Sequence, residues 1–310
     1  MLSNHRLRIL RELRRRGTMG RVAAALKYSS SAISQQLALL ETEAGAQLIE
    51  PVGRGVRLTI EGELLADHAE RILRDVEEAE AALEASSATV AGRLRVATFQ
   101  SAALTVMPTV LRELARTHPQ LVIQLAEFQP DLAISRLVAH DYDLVLGEEY
   151  EGQELARDTE VDQEDLLFDP LEIVISPEVE LGHPDPSLND LRQLPWVMES
   201  STKPARIWTR ALCRRAGFEP EVRFESDDLL VHRVLVASGH AVAMLPRLLS
   251  SHEPVPLRVI ALPGSPTRRI FTAVRAGAID RPAVRACRDA LRNAVQAVTV
   301  PSAGRSSAER

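Results

Sequence analysis

A chain of 310 residues, 45% hydrophobic and 26% charged, is long enough for more than one folded unit with its own core. Its net charge of −6 conceals two opposite parts: residues 1–59 carry +6 and the remainder −12, so one end alone favours a polyanion. Two cysteines, Cys213 and Cys287, exclude a disulfide framework; both lie in helical patterns and read as buried structural residues rather than nucleophiles. The start, MLSNHRLRILRELRRRG, is too charged for a signal peptide, and no apolar run approaches membrane-spanning length. The expectation is a soluble cytoplasmic protein without a membrane partner.

Residues 4–16 read as a first helix, with Ser3 as its cap, Leu7, Leu10 and Leu13 facing inward, and Gly17 as its stop. Six arginines decorate it, at 6, 8, 11, 14, 15 and 16. About half of them are expected to be only solvated, and those near DNA would hold phosphates. Residues 18–41 then place Val22, Ala23 and Leu26 on one helical face and Ile33, Leu37 and Leu40 on another. Only Lys27-Tyr28-Ser29 separates the two, so the helices meet at a sharp angle, which is the pattern of a helix-turn-helix. Ser30 or Ser31 caps the second helix, and its outer face carries Ser34, Gln35 and Gln36, which donate and accept hydrogen bonds as base edges require. A short segment after Glu41 ends at Gly45. Residues 48–59 follow with the alternation and glycines of a hairpin, on which Arg54 and Arg57 are candidate backbone contacts.

These residues carry a resemblance. The segment 22–26, the run Ser34-Gln35-Gln36-Leu37, Leu40-Glu41, Gly45, Leu48 and the tail GRGVRLTIEG from Gly53 resemble the N-terminal domain of LysR-type transcriptional regulators. Three departures stand out: Ser30-Ser31 where Gln-Pro is frequent, Ala38 in place of a basic residue, and Pro51 in place of arginine. The operator sequence therefore does not carry over from relatives. In residues 61–89, Leu65, Ala69, Ile72, Val76, Ala79 and Leu83 form a heptad seam on an otherwise acidic helix, which favours pairing with a second chain over packing on its own domain.

From residue 92 to 299, strand-like apolar runs alternate with helical patterns, from 94–97 through 121–126 and 143–147 to 171–176 and 270–275. Such alternation predicts an open α/β sheet that binds ligands beyond the carboxyl ends of its strands. The segments PQLVIQLAE, DYDLVLG and LVASGHAVAMLP also resemble the family's effector domain, which implies the two-lobed fold of periplasmic binding proteins. The expected fold is thus α/β overall: an N-terminal all-α winged helix-turn-helix at 1–60, a linker helix at 61–89, and an effector-binding domain at 92–299. Its lobe I would comprise about 92–166 and 268–299, its lobe II about 167–267, and residues 300–310 would be a disordered tail.

Thr98, Gln100 and Ser101 lead from the first strand of that domain into a helix. Glu199, Ser200, Ser201 and Thr202 lead into another, at whose first position Pro204 stands. Two hydroxyl-rich helix starts across a cleft suit a small anion or carboxylate; alternatively they cap their own helices, and Glu199 meets a ligand amine. Lys203 reads as a surface lysine or as a neutraliser of an anionic ligand, and Asp227 and Asp228 as helix caps.

The function expected is sequence-specific, effector-modulated transcriptional regulation, with Ser30, Ser31, Ser34 and Gln35 reading bases and Arg54, Arg57 and Thr59 holding the backbone. The partners are double-stranded DNA, an unidentified small-molecule effector and a second copy of the chain. The family resemblance implies a dimer of dimers, and RNA polymerase is a further candidate. No cofactor, metal or catalytic residue is expected, since GxSxG, P-loop, HExxH and GxGxxG motifs are all missing. Two alternatives stay open: an enzyme built on a two-lobed α/β fold, and a repressor without an effector.

Overall fold

The computed structural model describes residues 1–53, 55–87, 89–128, 130–182, 186–250, 257–260 and 262–299. Helix α1 (Asn4–Arg16) ends where Gly17 adopts φ +73 and returns its N–H to Leu13. Helix α2 (Met19–Leu26) begins at Thr18, whose hydroxyl accepts from the Arg21 N–H, and stops at Lys27 in the left-handed region. Helix α3 (Ser30–Ala44) is capped one residue earlier than expected: the Ser29 hydroxyl accepts from the Ala32 N–H at 3.1 Å. It also runs unbroken through Glu41 to Ala44, replacing the separate short segment that the sequence suggested, because no breaker precedes Gly45.

Strands β1 (Ile49–Val52) and β2 (Gly55–Leu58) form an antiparallel hairpin, tied to α3 by the Glu41 carboxylate, which accepts from the N–H groups of Leu48 and Ile49. Helix α4 (Ile60–Ala85), about 39 Å long at 1.5 Å per residue, follows directly. The expected seam divides along this helix. Ala69 is buried and joins Leu65, Ile72 and the buried Ala66 in the core built by Leu10, Ile33 and Leu37, while Ala79 and Leu83 face outward, Leu83 at 74% exposure.

The α/β part contains, in order, β3 (Gly92–Thr98), α5 (Gln100–Thr105), α6 (Met107–Thr117), β4 (Leu121–Glu127), α7 (Pro130–Val138), β5 (Leu144–Glu149) and β6 (Val161–Ile175). It continues with β7 (Pro195–Met198), α8 (Pro204–Arg215), β8 (Glu221–Glu225), α9 (Leu229–Ala237), β9 (Ala243–Pro246) and α10 (Arg247–Ser250). The last elements are β10 (Arg258–Ile260), β11 (Thr267–Arg275) and α11 (Pro282–Thr299). The helix expected after Ser101 is thus two, broken at Val106 where Pro108 opens the second.

Strand β3 lies parallel between β4 and β5, and β11 runs antiparallel to β5 and to the first two thirds of β6. Thr267 pairs with Pro170, and from Leu171 onward β6 pairs with β9 and β10 instead. Proline has no N–H for a ladder, which suits the point where the partner changes. Strands β7 and β8 join this second unit through the bridge between Trp196 and Val242. One continuous strand therefore passes through two lobes, each with its own core: Leu94, Met107 and Leu291 in one, Ile173, Trp196 and Trp208 in the other.

The N-terminal module packs on this body. Arg11, 4% exposed, donates to the Val138 carbonyl and pairs with Glu12, while Arg8 donates to Ala139 and Arg15 bonds Asp158. Arg6 pairs with Glu43, Arg14 with Asp67 and Glu70, and Arg16 with Glu12. All six arginines of α1 thus have partners within the chain, against the expectation that about half are merely solvated. Helix α4 is held from the other side by Arg275 on Glu77 at 2.6 Å and by Arg281 on Glu84 at 3.0 Å.

At the start of α4, Gly62 passes over the hairpin so closely that a Cβ would lie 2.1 Å from the Leu48 carbonyl oxygen. Gly62→Ala should therefore destabilise by about 1–3 kcal/mol, in spite of alanine's better helix propensity. Urea unfolding of the two proteins side by side measures the difference.

Candidate functional site

Two surfaces carry the expected chemistry. On α3, Ser30, Ser31, Ser34 and Gln35 are all exposed on one side, opposite the buried Ile33, Leu37 and Leu40. The Ser31 hydroxyl lies 2.9 Å from that of the cap, Ser29, and Gln36 accepts from Arg6, which leaves Gln35 as the long amide on that face with no bond to its own chain among the described residues. Arg57 projects from the hairpin at 70% side-chain exposure while its guanidinium holds Glu50 at 2.6 Å. Thr59 serves α4 directly: its hydroxyl accepts from Gly62 at 3.0 Å and donates to the Gln47 carbonyl at 2.7 Å. Arg54 lies outside the described residues, as does the tail from residue 300.

Between the two lobes lies a cavity of about 730 Å³. Of the residues expected there, Gln100, Ser101, Glu199 and Thr202 line it, whereas Thr98, Ser200 and Ser201 do not. Thr98 is 1% exposed at the end of β3. Gln100 spans the lobes: its amide donates to Asp228 at 2.9 Å and accepts from the Leu229 N–H at 2.8 Å, at the start of α9. Asp228 is the cap of α9, as expected. Asp227 instead reaches back to the turn before α8, where it accepts from the Ser200 N–H at 2.8 Å and sits 3.4 Å from the Lys203 ammonium. Lys203 is therefore a wall of the cleft and not a free surface lysine.

Several lining residues were missed. Glu148 and Tyr150 directly follow the strand expected at 143–147, so the rule that ligands sit beyond carboxyl ends would have found them. Arg268 had no such signal, because its partners lie far away in the chain. It is 1% exposed and is held by Asp169 at 2.7 and 3.0 Å, by Glu148, and by the Ser101 hydroxyl at 2.8 Å; the Phe99 ring lies 5.1 Å from it. Burial works against its charge, but Glu148, Tyr150 and Asp169 outweigh that and keep it firmly protonated. Burial and the negative charge of Glu148 push the Tyr150 hydroxyl well above its ordinary range. Burial, reinforced by Glu148 and Asp227, pushes the Glu199 carboxyl up to about 7. Among the described residues no group of three His, Cys, Asp or Glu could hold a metal, and no helix is long and apolar enough to cross a membrane.

A helix-turn-helix with a hairpin, joined by one long helix to a two-lobed α/β domain with a central cleft, is the architecture of a DNA-binding regulator with an effector-binding domain. Residues 5–63 match the family described as bacterial regulatory helix-turn-helix protein, lysR family, and residues 87–296 match the LysR substrate binding domain. The chain belongs to the LysR family of transcriptional regulators, which are not enzymes. It is 27% identical over 282 residues to the DNA-binding transcriptional dual regulator OxyR of Escherichia coli K12, covering 83% of this chain and 89% of that protein. It is 30% identical over 227 residues to the regulator DgdR of Burkholderia cepacia, covering 73% and 72%. Among solved structures, a full-length OxyR variant from Pseudomonas aeruginosa aligns with a TM-score of 0.62 at 21% identity, over 94% of this chain and 95% of that one. Full-length CbnR complexed with its target DNA aligns at 0.52 and 20%, over 94% and 100%. At these identities the two structures establish the fold.

Replacing Arg268 by leucine would strand Asp169 and Glu148 in the interior. The variant should lose about 3–5 kcal/mol in urea unfolding, the usual cost of removing one partner of a buried charge cluster.

Proposed function

We propose that the protein is a sequence-specific regulator that binds a two-fold-related DNA site as a dimer or dimer of dimers and responds to a small molecule held between its lobes. One observation carries this reading: the exposed, uncharged face of α3 and the 730 Å³ cleft belong to bodies that are ion-paired to each other and to α4. Ser30, Ser31, Ser34 and Gln35 are the base-reading candidates, and Arg57 with Arg54 the backbone contacts. Thr59, engaged at both hydroxyl functions, positions the hairpin against α4. Residues 1–60, 61–89 and 92–299 act as reading head, linker and receptor, and the outward Ala79 and Leu83 suit pairing with a second α4. The cytoplasm is where such a protein meets its DNA, and RNA polymerase is a further candidate partner.

An effector can act only if it binds one lobe arrangement better than another. Gln100, bonded across the cleft to Asp228 and Leu229, is placed to report closure.

Several relatives, including one from Dickeya chrysanthemi, carry the name hydrogen peroxide-inducible genes activator. Sensing by a thiol needs an accessible thiolate. Here Cys213 and Cys287 are both 0% exposed, and burial pushes each thiol up to about 12. The folded protein should therefore keep both thiols through a stoichiometric peroxide exposure, counted afterwards with a thiol reagent in denaturant. Rapid loss of either would make it a thiol sensor.

The DNA reading is tested by gel shift on the DNA upstream of its own gene and on a scrambled copy, at two salt concentrations. Gln35→Ala should weaken specific binding by about 1–3 kcal/mol and spare binding to random DNA. Equal loss on both DNAs would remove Gln35 from the reading face. Arg57→Ala should lower affinity on every sequence and flatten the salt dependence.

A further inference from the structure

The two places in or beside the cleft where an anion would be favoured are already filled by carboxylates of the chain itself. The turn that enters α8 presents the Ser200 N–H and hydroxyl, and both are taken by Asp227, 2.8 Å and 3.3 Å away, with the Lys203 ammonium at 3.4 Å from the same carboxylate. Arg268 is engaged through all three of its nitrogens by Asp169, Glu148 and Ser101. An anionic ligand at Arg268 would have to displace a carboxylate and leave Asp169 or Glu148 stranded where water scarcely reaches, and one at Ser200 would have to compete with Asp227, which is already bonded there. The walls meanwhile carry five carboxylates, Glu127, Glu148, Glu154, Glu199 and Asp227, against the two committed cations.

We propose that the cleft selects a small organic cation, a protonated amine on an apolar body, with the Glu199 carboxylate as its counter-ion. The inference rests on the reading of the cleft as the effector site and reverses the charge expected from the helix starts alone. Glu199 follows β7 at the cleft wall, and among the described residues no cation is bonded to its carboxylate; Arg206 bonds its carbonyl, at 2.7 Å. The groups that face Glu199 are Glu148 and Tyr150 from the end of β5, Asp227 from the turn before α9, and Lys203 at the start of α8. The negative members predominate, so an incoming ammonium meets attraction from Glu148 and Asp227 as well. Phe99, Phe128, Leu132 and Leu155 supply the apolar wall for the rest of the ligand. An organic cation fits better than a metal ion, because among the described residues the carboxylates do not converge as a metal site requires.

Binding should release a proton. The Glu199 carboxyl, held at about 7 by burial and its acidic neighbours, must ionise to receive the ammonium. It is about one-tenth ionised at pH 6 and about nine-tenths at pH 8, so affinity for an amine should tighten about tenfold over that range.

The probes are benzylamine and n-butylamine, with benzoate and butyrate as their charge-reversed counterparts, titrated calorimetrically into the full chain at pH 6 and pH 8. The expected result is that the amines bind, tighten about tenfold with pH, and exceed the carboxylates by tenfold or more at pH 8. Glu199→Gln should weaken the amines by tenfold or more and abolish the pH dependence. Glu178→Gln, which removes the same charge from an exposed position outside the cleft, should bind as the parent does. Circular dichroism confirms that both variants are folded. Tighter binding of the carboxylates, or amine binding unchanged in Glu199→Gln, overturns the inference and leaves the cleft as an effector site of another selectivity. Silence from both series, with DNA binding intact, overturns the inference and the reading of the cleft together.

Discussion

Strand β6 carries the chain from one lobe into the other, β11 begins beside that passage, and one buried cation secures the point where they meet. Arg268 stands one residue into β11, where β6 is about to exchange β11 for β9 and β10, and its guanidinium binds Asp169 of β6 and Glu148 of β5. A charge at 1% exposure is tolerable only when its partners are fixed, and these partners fix three strands at the floor of the cleft. The cleft wall follows from that: Ser101 is oriented by the same guanidinium, and burial, reinforced by the charge of Glu148, raises the Tyr150 hydroxyl and the Glu199 carboxyl beside it. The charge of the cleft wall and the connection of the lobes are thus properties of a single charge cluster.

The reading head is coupled to this body by charge as well. Arg8, Arg11 and Arg15 of α1 reach the end of α7 and the segment before β6, while Arg275 and Arg281 hold α4. Gly277 lets the backbone of the 276–278 turn approach α4, where a Cβ would meet the Arg74 carbonyl oxygen at 2.9 Å. Contacts this tight do not stretch; they hold or they break, so a lobe movement at α7 or at that turn would displace the helices that carry α3.

The N-terminal module was legible because its information is local. Gly17 and Gly45 stop helices, the apolar residues of α2 and α3 repeat at helical spacing, and three residues between them leave room for only one kind of turn. The first part of β6 was not legible. VDQEDLLFDP has too many acids for a strand pattern, and it becomes one because Arg268, Arg269, Arg288 and Arg292 bring positive charge from β11 and α11 to Asp169, Asp165, Asp162 and Glu164. The six arginines of α1 were misread for the same reason. A basic helix looks solvated or DNA-facing until the acids of α4 and of the loop before β6 are folded against it.

The sequence by itself determined the order of the modules, the exposed polar face of α3, the family, and the position of both helix starts at the cleft, since each depends on residues close together in the chain. Only the tertiary structure decided the charge of the cleft. Hydroxyls and N–H groups at helix starts suggest an anion, but whether they are free depends on what comes to meet them. Asp227 arrives at Ser200 from 27 residues away, Asp169 at Arg268 from 99 and Glu148 at Arg268 from 120. Coulomb energy depends on distance in space, and those distances exist only once each lobe has folded.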